Sequence, residues 1–262
     1  VWDVDGVTIK NGTIEDFQWG IDVLGGRDHV FEDLRIRNLK SDHPRDFILG
    51  IQTFRTDNLI VRNSIFEFLP VTHKEAILLY GTDFSIDSVQ TYSGAGGIRL
   101  SCIPCCPLEG NTGTVANSLI EGGTIDGLAV HCAHDVRIVA NEFVDNEASF
   151  SIDPPQASSV SDLTFEGNAI DGGFVGIHLW GSADSTIRNN AIHDTWRGIF
   201  LDANMFCPEI ECFYATGNVI SDNEVTGNFI DLYHIPEATG NTWENNTCET
   251  KEGAEIPACT AR

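Results

Sequence analysis

Residues 7–23, VTIKNGTIEDFQWGIDV, and residues 185–201, STIRNNAIHDTWRGIFL, are two copies of one sequence pattern. Each copy places an Asn shortly before an apolar residue and ends with a Gly that introduces an alternating apolar run. The Asn recurs at intervals of 22 to 33 residues, apart from one interval of 54 that spans two periods. Its positions are Asn11, Asn38, Asn63, Asn117, Asn141, Asn168, Asn190, Asn223 and Asn246. A fixed period of this length indicates a repeat architecture.

Short alternating runs follow each Asn and begin at a small residue, as in GIDVLG, AILLYG, GGIRLS, GLAVHC, GIHLWG and GIFLDA. Such alternation predicts a strand with one buried face, and the Gly, Asn and Asp residues between runs predict turns. Helical periodicity is absent, so the strands must satisfy their backbone groups by stacking coil on coil in parallel. Leucine-rich repeats lack support because their denser Leu spacing and helical side are missing.

We therefore predict an all-β fold, a single-stranded right-handed parallel β-helix of about ten coils. Residues 1–262 form one domain in this interpretation, with a C-terminal tail at 247–262. The repeat is already under way at Val1, so we expect an N-terminal cap or leader to be absent from this sequence. The recurring Asn is expected to point inward and form a ladder, in which each amide bonds to the backbone at a bend and to the next Asn. Asn11, which also begins a glycosylation sequon, is expected to be buried in this ladder.

The composition is strongly acidic, with 15 Lys+Arg against 39 Asp+Glu and a formal net charge of -24. The broad basic surface that nucleic acid requires is missing, so nucleic acid is excluded as a partner. No apolar stretch approaches the ~18 residues of a membrane span. We expect a monomer. So many carboxylates beside few lysines would suit a protein of high-salt surroundings or one that binds Ca²⁺.

Eight cysteines favour disulfides and therefore a secreted or extracytoplasmic protein. Spacing favours pairing Cys207 with Cys212 and Cys248 with Cys259. Cys102 and Cys132 take equivalent positions in neighbouring coils and can pair, although Cys102–Cys105 with Cys106–Cys132 is an alternative. A zinc site in this cluster has the right ligand types but conflicts with an oxidising compartment.

The two quoted stretches resemble the repeats of the right-handed β-helix superfamily that contains pectate-lyase-like proteins, C5-epimerases and other carbohydrate-active enzymes. The resemblance covers nearly the whole chain. It implies the fold and a polysaccharide substrate, but it leaves the activity open, because the superfamily holds lyases, hydrolases, epimerases and non-catalytic proteins. The chain lacks a DPHD-like epimerase signature and the NTD, DD, GHG and RIK set of polygalacturonases.

Stacking the alternating runs in register predicts two columns of outward side chains on one face. The first column reads Asp22, Leu78, Arg99, Ala129, Ser151, His178, Phe200 and Asp231. The second reads Leu24, Tyr80, Ser101, His131, Asp153, Trp180, Asp202 and Tyr233. A strip that combines imidazole, carboxylate, guanidinium and aromatic groups is the kind of surface on which a linear sugar chain can lie.

Three functions are compatible with this strip. The leading hypothesis is a lyase or C5-epimerase acting on a uronate-containing polysaccharide, with His131 or His178 as base, Tyr80 or Tyr233 as proton donor, and Arg99 or a bound Ca²⁺ neutralising the carboxylate. The sequence requires no cofactor and leaves any metal site unknown. Trp180, Tyr233 and Lys74 are candidate substrate-binding residues, with Lys74 overhanging the groove.

The alternatives use the same face differently. Asp153 and Asp202 lie two rungs apart, which suits an inverting glycoside hydrolase. The strip also suits a glycan-binding or surface module that carries out no reaction.

Overall fold

The computed structural model describes residues 1–40, 48–68, 74–101, 110–131, 133–152, 160–202, 214–253 and 255–260. Within these ranges the chain forms strands, turns and bends but no helix. No helix of the described part is therefore long and apolar enough to cross a membrane. Every strand pairing in the sheet register is parallel.

The first strands are β1 (Thr8–Glu15), β2 (Trp19–Leu24), β3 (Arg27–Arg37), β4 (Ile48–Arg62), β5 (Ile65–Glu67), β6 (Lys74–Thr82), β7 (Phe84–Asp87), β8 (Gln90–Leu100) and β9 (Asn111–Ala116). The middle strands are β10 (Leu119–Val130), β11 (Ala133–Val139), β12 (Glu142–Val144), β13 (Ala148–Ile152), β14 (Val160–Ser161), β15 (Thr164–Glu166), β16 (Ala169–Asp171), β17 (Val175–Trp180) and β18 (Ser182–Ala183). The last strands are β19 (Thr186–Arg188), β20 (Ala191–His193), β21 (Arg197–Asp202), β22 (Val219–Ser221), β23 (Glu224–Thr226), β24 (Ile230–His234), β25 (Thr242–Glu244), β26 (Thr247–Cys248) and β27 (Lys251–Glu252).

Each coil contributes to three parallel sheets that run along the solenoid. The site sheet consists of β2, β4, β6, β8, β10, β13, β17, β21 and β24, with the two-residue β27 at its end. β11, β15 and β19 belong to the second sheet, and β12, β16 and β20 belong to the third. The predicted parallel β-helix is confirmed. The structure has about 8 turns, so the expected count of about ten coils was only approximate.

The core lies inside the solenoid and is built from one or two apolar side chains per strand. Ile51, Ile77, Ile98, Leu128 and Phe150 occupy equivalent places on successive strands of the site sheet and are almost completely buried. Stacked rows of this kind bury apolar surface continuously along the axis, which is the main stabilisation of a solenoid.

An Asn ladder follows one corner of the coils in the C-terminal half. The ladder consists of Asn141, Asn168, Asn190, Asn223 and Asn246, all of them buried. Asn168 Oδ1 accepts hydrogen bonds from the backbone N (2.9 Å) and the Nδ2 (3.0 Å) of Asn141, while Asn168 Nδ2 donates to the carbonyl of Ile138 at 3.0 Å. The same pattern repeats to the next coil. The inward ladder therefore satisfies backbone groups that the bend leaves unpaired.

The expectation for the other four asparagines was wrong. Asn11, Asn38, Asn63 and Asn117 are exposed and have left-handed backbones, with φ between 50° and 56°. Asn63 and Asn117 stand one residue before Ser64 and Ser118, whose hydroxyl groups accept the buried backbone bonds instead. Asn tolerates the left-handed region better than other side chains with a Cβ, so these residues are selected for the turn and not for the ladder.

The C-terminal residues cover the end of the last coil. Cys248 and Cys259 form a disulfide with a Cα–Cα distance of 5.1 Å. Asp231 is fully buried and accepts hydrogen bonds from the backbone N of Glu249 at 2.7 Å and of Thr250 at 2.8 Å. Ile256 packs into the core from this tail. The buried carboxylate and the disulfide together hold residues 247–260 against the solenoid.

Candidate functional site

Outward side chains of the site sheet line up in two columns, as the alternation predicts. In the first column Leu78 pairs with Arg99, and Arg99 with Ala129. Ser151 pairs with His178, and His178 with Phe200, further along the same column. In the second column Trp180 lies beside Asp202.

The expected position of Tyr233 was wrong by one column. Tyr233 pairs with Phe200 and therefore ends the first column, where Asp231 was expected. Asp231 lies at the corner that Gly198 occupies in the preceding coil, and its carboxylate turns inward to cap the tail. Phe200 and Tyr233 contact each other edge to face, with ring centroids 4.6 Å apart.

The first of two clefts on this sheet, the N-terminal cleft, is a solvent-open cavity of about 350 Å³. Tyr80 and Arg99 line it together with Glu75, Trp19 and Gln52. Arg99 Nε lies 2.7 Å from Glu75 Oε1. Burial and the neighbouring Asp126 raise the pKa of Glu75, while Arg99 opposes the rise. The pair therefore holds a guanidinium at the floor of the cleft beside a carboxylate that is poorly solvated.

His131 follows β10 at the second-column position, two rungs from Tyr80. Its backbone N donates to the carbonyl of Leu100 at 2.8 Å, which places it one rung from the strand that carries Arg99. Burial, reinforced by the charge of Arg99, lowers the pKa of His131 to about 4. A hydroxyl, a cation and a neutral imidazole therefore follow one another along the sheet, at Tyr80 on β6, Arg99 on β8 and His131 just after β10, and the first two line the N-terminal cleft.

The second cleft, the C-terminal cleft, is a solvent-open cavity of about 280 Å³. His178, Trp180 and Asp202 line it. The ring of His178 stacks on Phe200 at 4.6 Å and meets Trp180 edge to face at 4.5 Å. Burial, followed by the charge of Arg197, lowers the pKa of His178 to about 3. His178 Nε2 is shielded from solvent and has no hydrogen-bond partner among the described residues, so this ring acts mainly as a packing group.

Arg197 also lines the C-terminal cleft, and the sequence interpretation missed it. Its guanidinium carbon lies 4.3 Å from the ring centroids of both Trp196 and Phe200 and 5.4 Å from that of Tyr233. Arg197 stands immediately before the Gly that introduces its alternating run, so it lay outside the two predicted columns. The equivalent position, just before the alternating run, is occupied by Trp19 in one coil and by Glu75 in another. Both side chains line the N-terminal cleft.

Lys74 does not overhang the groove, so that expectation was wrong. Its side chain is 2% exposed, and Nζ donates to the carbonyl of Leu39 at 3.3 Å. Burial lowers the pKa of Lys74. The ammonium group lies 6.0 Å from the ring centroid of Phe68, so Lys74 is removed from the set of substrate-binding candidates.

Several candidate residues lie outside the described ranges. They are Asp153 and the cysteines Cys102, Cys105, Cys106, Cys132, Cys207 and Cys212. The separation between Asp153 and Asp202, and the pairing of these six cysteines, therefore stay predictions.

A parallel β-helix with an open groove along one sheet defines the class of protein, which is that of the pectate-lyase-like β-helix proteins. Within this class the chain belongs to the family described as "Periplasmic copper-binding protein (NosD)", whose model matches residues 56–256. No curated protein sequence matches the chain.

Solved structures with the same fold include three enzymes. The mannuronan C-5 epimerase AlgE4 A-module of Azotobacter vinelandii aligns with a TM-score of 0.73 at 14% identity, over 99% of this chain and 75% of that chain. A double mutant of the periplasmic alginate epimerase AlgG aligns with a TM-score of 0.66 at 10% identity, over 94% and 69%. A polygalacturonase from Erwinia carotovora ssp. carotovora aligns with a TM-score of 0.60 at 13% identity, over 97% and 81%. These identities establish the common fold and nothing further about activity.

The family description names copper, so the described residues were tested for a fit to that metal. A copper site in a protein requires several His, Cys or Met ligands that converge on one point. The described ranges contain no group of three or more His, Cys, Asp or Glu residues that could hold a metal ion. His131 and His178 stand in different columns two rungs apart. The described part of the chain does not fit copper.

Proposed function

We propose that this protein is an extracytoplasmic enzyme that acts on a uronate-containing polysaccharide by proton abstraction, as a lyase or a C5-epimerase. The observation that carries the proposal is the succession of Tyr80, Arg99 and His131 along the site sheet. Tyr80 and Arg99 line an open cavity of about 350 Å³, and the charge of Arg99 acts on His131. The fold shared with epimerases and a polygalacturonase supports a polysaccharide substrate. The Cys248–Cys259 disulfide and the periplasmic family description support the location.

His131 serves as the general base in this proposal. Its lowered pKa keeps the imidazole unprotonated at neutral pH, so it is ready to accept the proton from C5 of the sugar. As the C–H bond breaks, its electron pair moves onto the adjacent carboxylate, where Arg99 stabilises the added negative charge. Delivery of a proton from Tyr80 to the opposite face of C5, while His131 keeps the proton that it removed, gives epimerisation. Loss of the C4 oxygen, with a proton supplied by Tyr80, gives β-elimination.

The Glu75–Arg99 pair bears directly on carboxylate binding. Glu75 is buried and its pKa is raised, so its charge is stabilised less well than that of a solvated carboxylate. A substrate carboxylate can therefore compete for Arg99, with Glu75 taking up a proton. Bound Ca²⁺ would lower the repulsion between an anionic polymer and a protein of net charge -24. Added Ca²⁺ is therefore expected to increase turnover.

The test is incubation with alginate, polygalacturonate and neutral glucans, with and without Ca²⁺. Ultraviolet absorbance of the unsaturated product reports elimination, proton exchange at C5 in deuterated water reports epimerisation, and new reducing ends without absorbance report hydrolysis. H131Q and R99Q are each expected to lower kcat by ~10²-fold or more. H193Q is the matched control, because His193 is half-exposed on the third sheet, and it should retain wild-type turnover. Full activity of H131Q would exclude the mechanism.

A second candidate function is hydrolysis by inversion, which Asp202 favours because it lines the C-terminal cleft. Its predicted partner Asp153 precedes Pro154 and lies outside the described residues. Hydrolysis predicts new reducing ends from a neutral glucan and loss of this activity in both D153N and D202N. Binding without any product would instead identify a glycan-binding module.

A further inference from the structure

We infer that the C-terminal cleft is a second carboxylate-binding subsite, which holds another uronate residue of the same polysaccharide chain through Arg197. This inference rests on the proposed function for the identity of the substrate. It adds a second guanidinium on the same sheet, four rungs from the strand that carries Arg99.

The guanidinium of Arg197 is held in a fixed plane. Trp196 and Phe200 each lie 4.3 Å from its central carbon, measured to the ring centroid. Aromatic rings of this kind contact the face of a guanidinium, whereas its N–H bonds lie in the guanidinium plane. The contact therefore orients the group and leaves its edge as the part that can bind a carboxylate with two hydrogen bonds.

Arg197 forms no ion pair within the described part of the chain, although three carboxylates line the same cleft. Arg99, in contrast, has an anionic partner, because Glu75 Oε1 lies 2.7 Å from its Nε. Arg197 Nε is also without a hydrogen-bond partner among the described residues. A partly buried guanidinium without an anionic partner is unfavourable, so a ligand carboxylate would be stabilised here. Glu147 also lines this cleft and can accept a hydrogen bond from a sugar hydroxyl group.

Two small, buried residues separate the two clefts in the first column. Ala129 and Ser151 lie between Arg99 and His178, and they are only 1% and 6% exposed. Arg99 and Arg197 lie on strands four rungs apart, or ~19 Å along the sheet. Arg197 therefore forms a subsite that is separate from the N-terminal cleft.

The test compares wild type, R197Q, R197K and R137Q in titrations with polygalacturonate, alginate and neutral dextran, at about 50 mM and about 200 mM salt. R137Q is the matched control, since Arg137 is exposed on the second sheet and has no ion pair among the described residues. R197Q is expected to weaken uronate binding about tenfold and to reduce its salt dependence. R197K keeps the charge without the planar fork, so its affinity should lie between those of wild type and R197Q.

Each outcome decides the inference. Uronate affinity of R197Q within about twofold of wild type, equal affinity of wild type for dextran, or no binding by wild type would overturn it. Turnover by the wild-type protein is measured in parallel on the same polymers. Binding that depends on Arg197 without turnover would leave the subsite standing and contradict the enzymatic proposal. Turnover by the wild-type protein, together with undiminished uronate binding by R197Q, would support the enzymatic proposal and contradict the subsite.

Discussion

The two histidines of the groove have the same protonation state for one main reason, which is burial. Burial lowers the pKa of His131 to about 4 and that of His178 to about 3, from an ordinary value of 6.5, and a nearby guanidinium adds to each shift. Both imidazoles are therefore neutral at neutral pH. They differ in contacts: His178 is enclosed by Trp180 and Phe200, whereas His131 lies beside the strand that carries Arg99.

Replacing His178 with Phe tests this difference at the level of stability. The unfolded chain binds a proton at His178 near pH 6.5, but the folded chain does so only near pH 3, so the free energy of unfolding falls as the pH drops through this window. H178F removes the titrating group, so its loss of stability between pH 7 and pH 4 should be smaller than that of wild type by ~3 kcal/mol. Urea unfolding at the two pH values measures the difference.

The same substitution is expected to leave stability at pH 7 unchanged or raised. His178 Nε2 has no hydrogen-bond partner among the described residues, so Phe removes an unsatisfied polar group and keeps the stacked ring. H193Q, which alters a half-exposed histidine on the third sheet, is the matched control. A large loss of stability at pH 7 in H178F would mean that the imidazole has a polar role in the fold.

At the scale of the elements, the Asn ladder stabilises the stacking of the coils. Its buried members differ from the exposed residues next to them in sequence. Asn190 is 1% exposed and bonds to the coils on both sides, while the adjacent Asn189 is exposed with φ 56°. N190A should lower the free energy of unfolding by ~2–3 kcal/mol, because backbone groups in two coils lose their partners. N189G, which keeps the left-handed backbone, should change it by less than ~0.5 kcal/mol. Chemical denaturation of the two variants provides the comparison; equal effects would contradict the ladder.

The C-terminal tail offers a second element-scale test. The Cys248–Cys259 disulfide closes a segment with a sequence separation of 11. The double variant C248S/C259S should be less stable by ~2–3 kcal/mol, mainly because the unfolded chain gains conformational freedom. Hydrogen exchange should rise first at Glu249 and Thr250, whose amides bond to Asp231. Unchanged exchange at these amides would show that Asp231 alone holds the tail.

Repetition made the fold and most of the site predictable from sequence. The alternating runs placed Arg99 and His178 in one column and Trp180 beside Asp202, as the structure has them. The errors arose where one residue departs from the repeat. Asp231 replaces a corner glycine with a buried cap, which shifted Tyr233 to the wrong column.

Other features depend on tertiary contacts that the pattern does not contain. Arg197 precedes its run and therefore lay outside the predicted columns, although aromatic rings from its own and neighbouring strands hold it in the cleft. Lys74 precedes its run as well but turns inward toward Leu39. Corner residues point into the groove or into the core according to their neighbours, and alternation does not distinguish the two.

At the scale of the whole molecule, the net charge of -24 makes the stability of the fold depend on the salt concentration. Repulsion between carboxylates destabilises the folded chain at low ionic strength, and added salt screens it. The melting temperature should therefore rise between low and molar salt at pH 7. At pH ≈ 4.4, the sequence pI, the net charge is close to zero and the rise should be much smaller. An equal rise at both pH values would show that the salt acts through general exclusion from the surface.

Because the coils stack regularly, the length of the site sheet changes by a fixed amount with each coil. Asn168 and Asn190 are 22 residues apart and hold equivalent positions, so the segment between them is one complete coil. Because each coil contacts only its neighbours, duplicating residues 168–189 would insert one rung and lengthen the face by ~4.8 Å. Gain or loss of a coil can therefore change the length of this face in whole steps, without redesigning the ends.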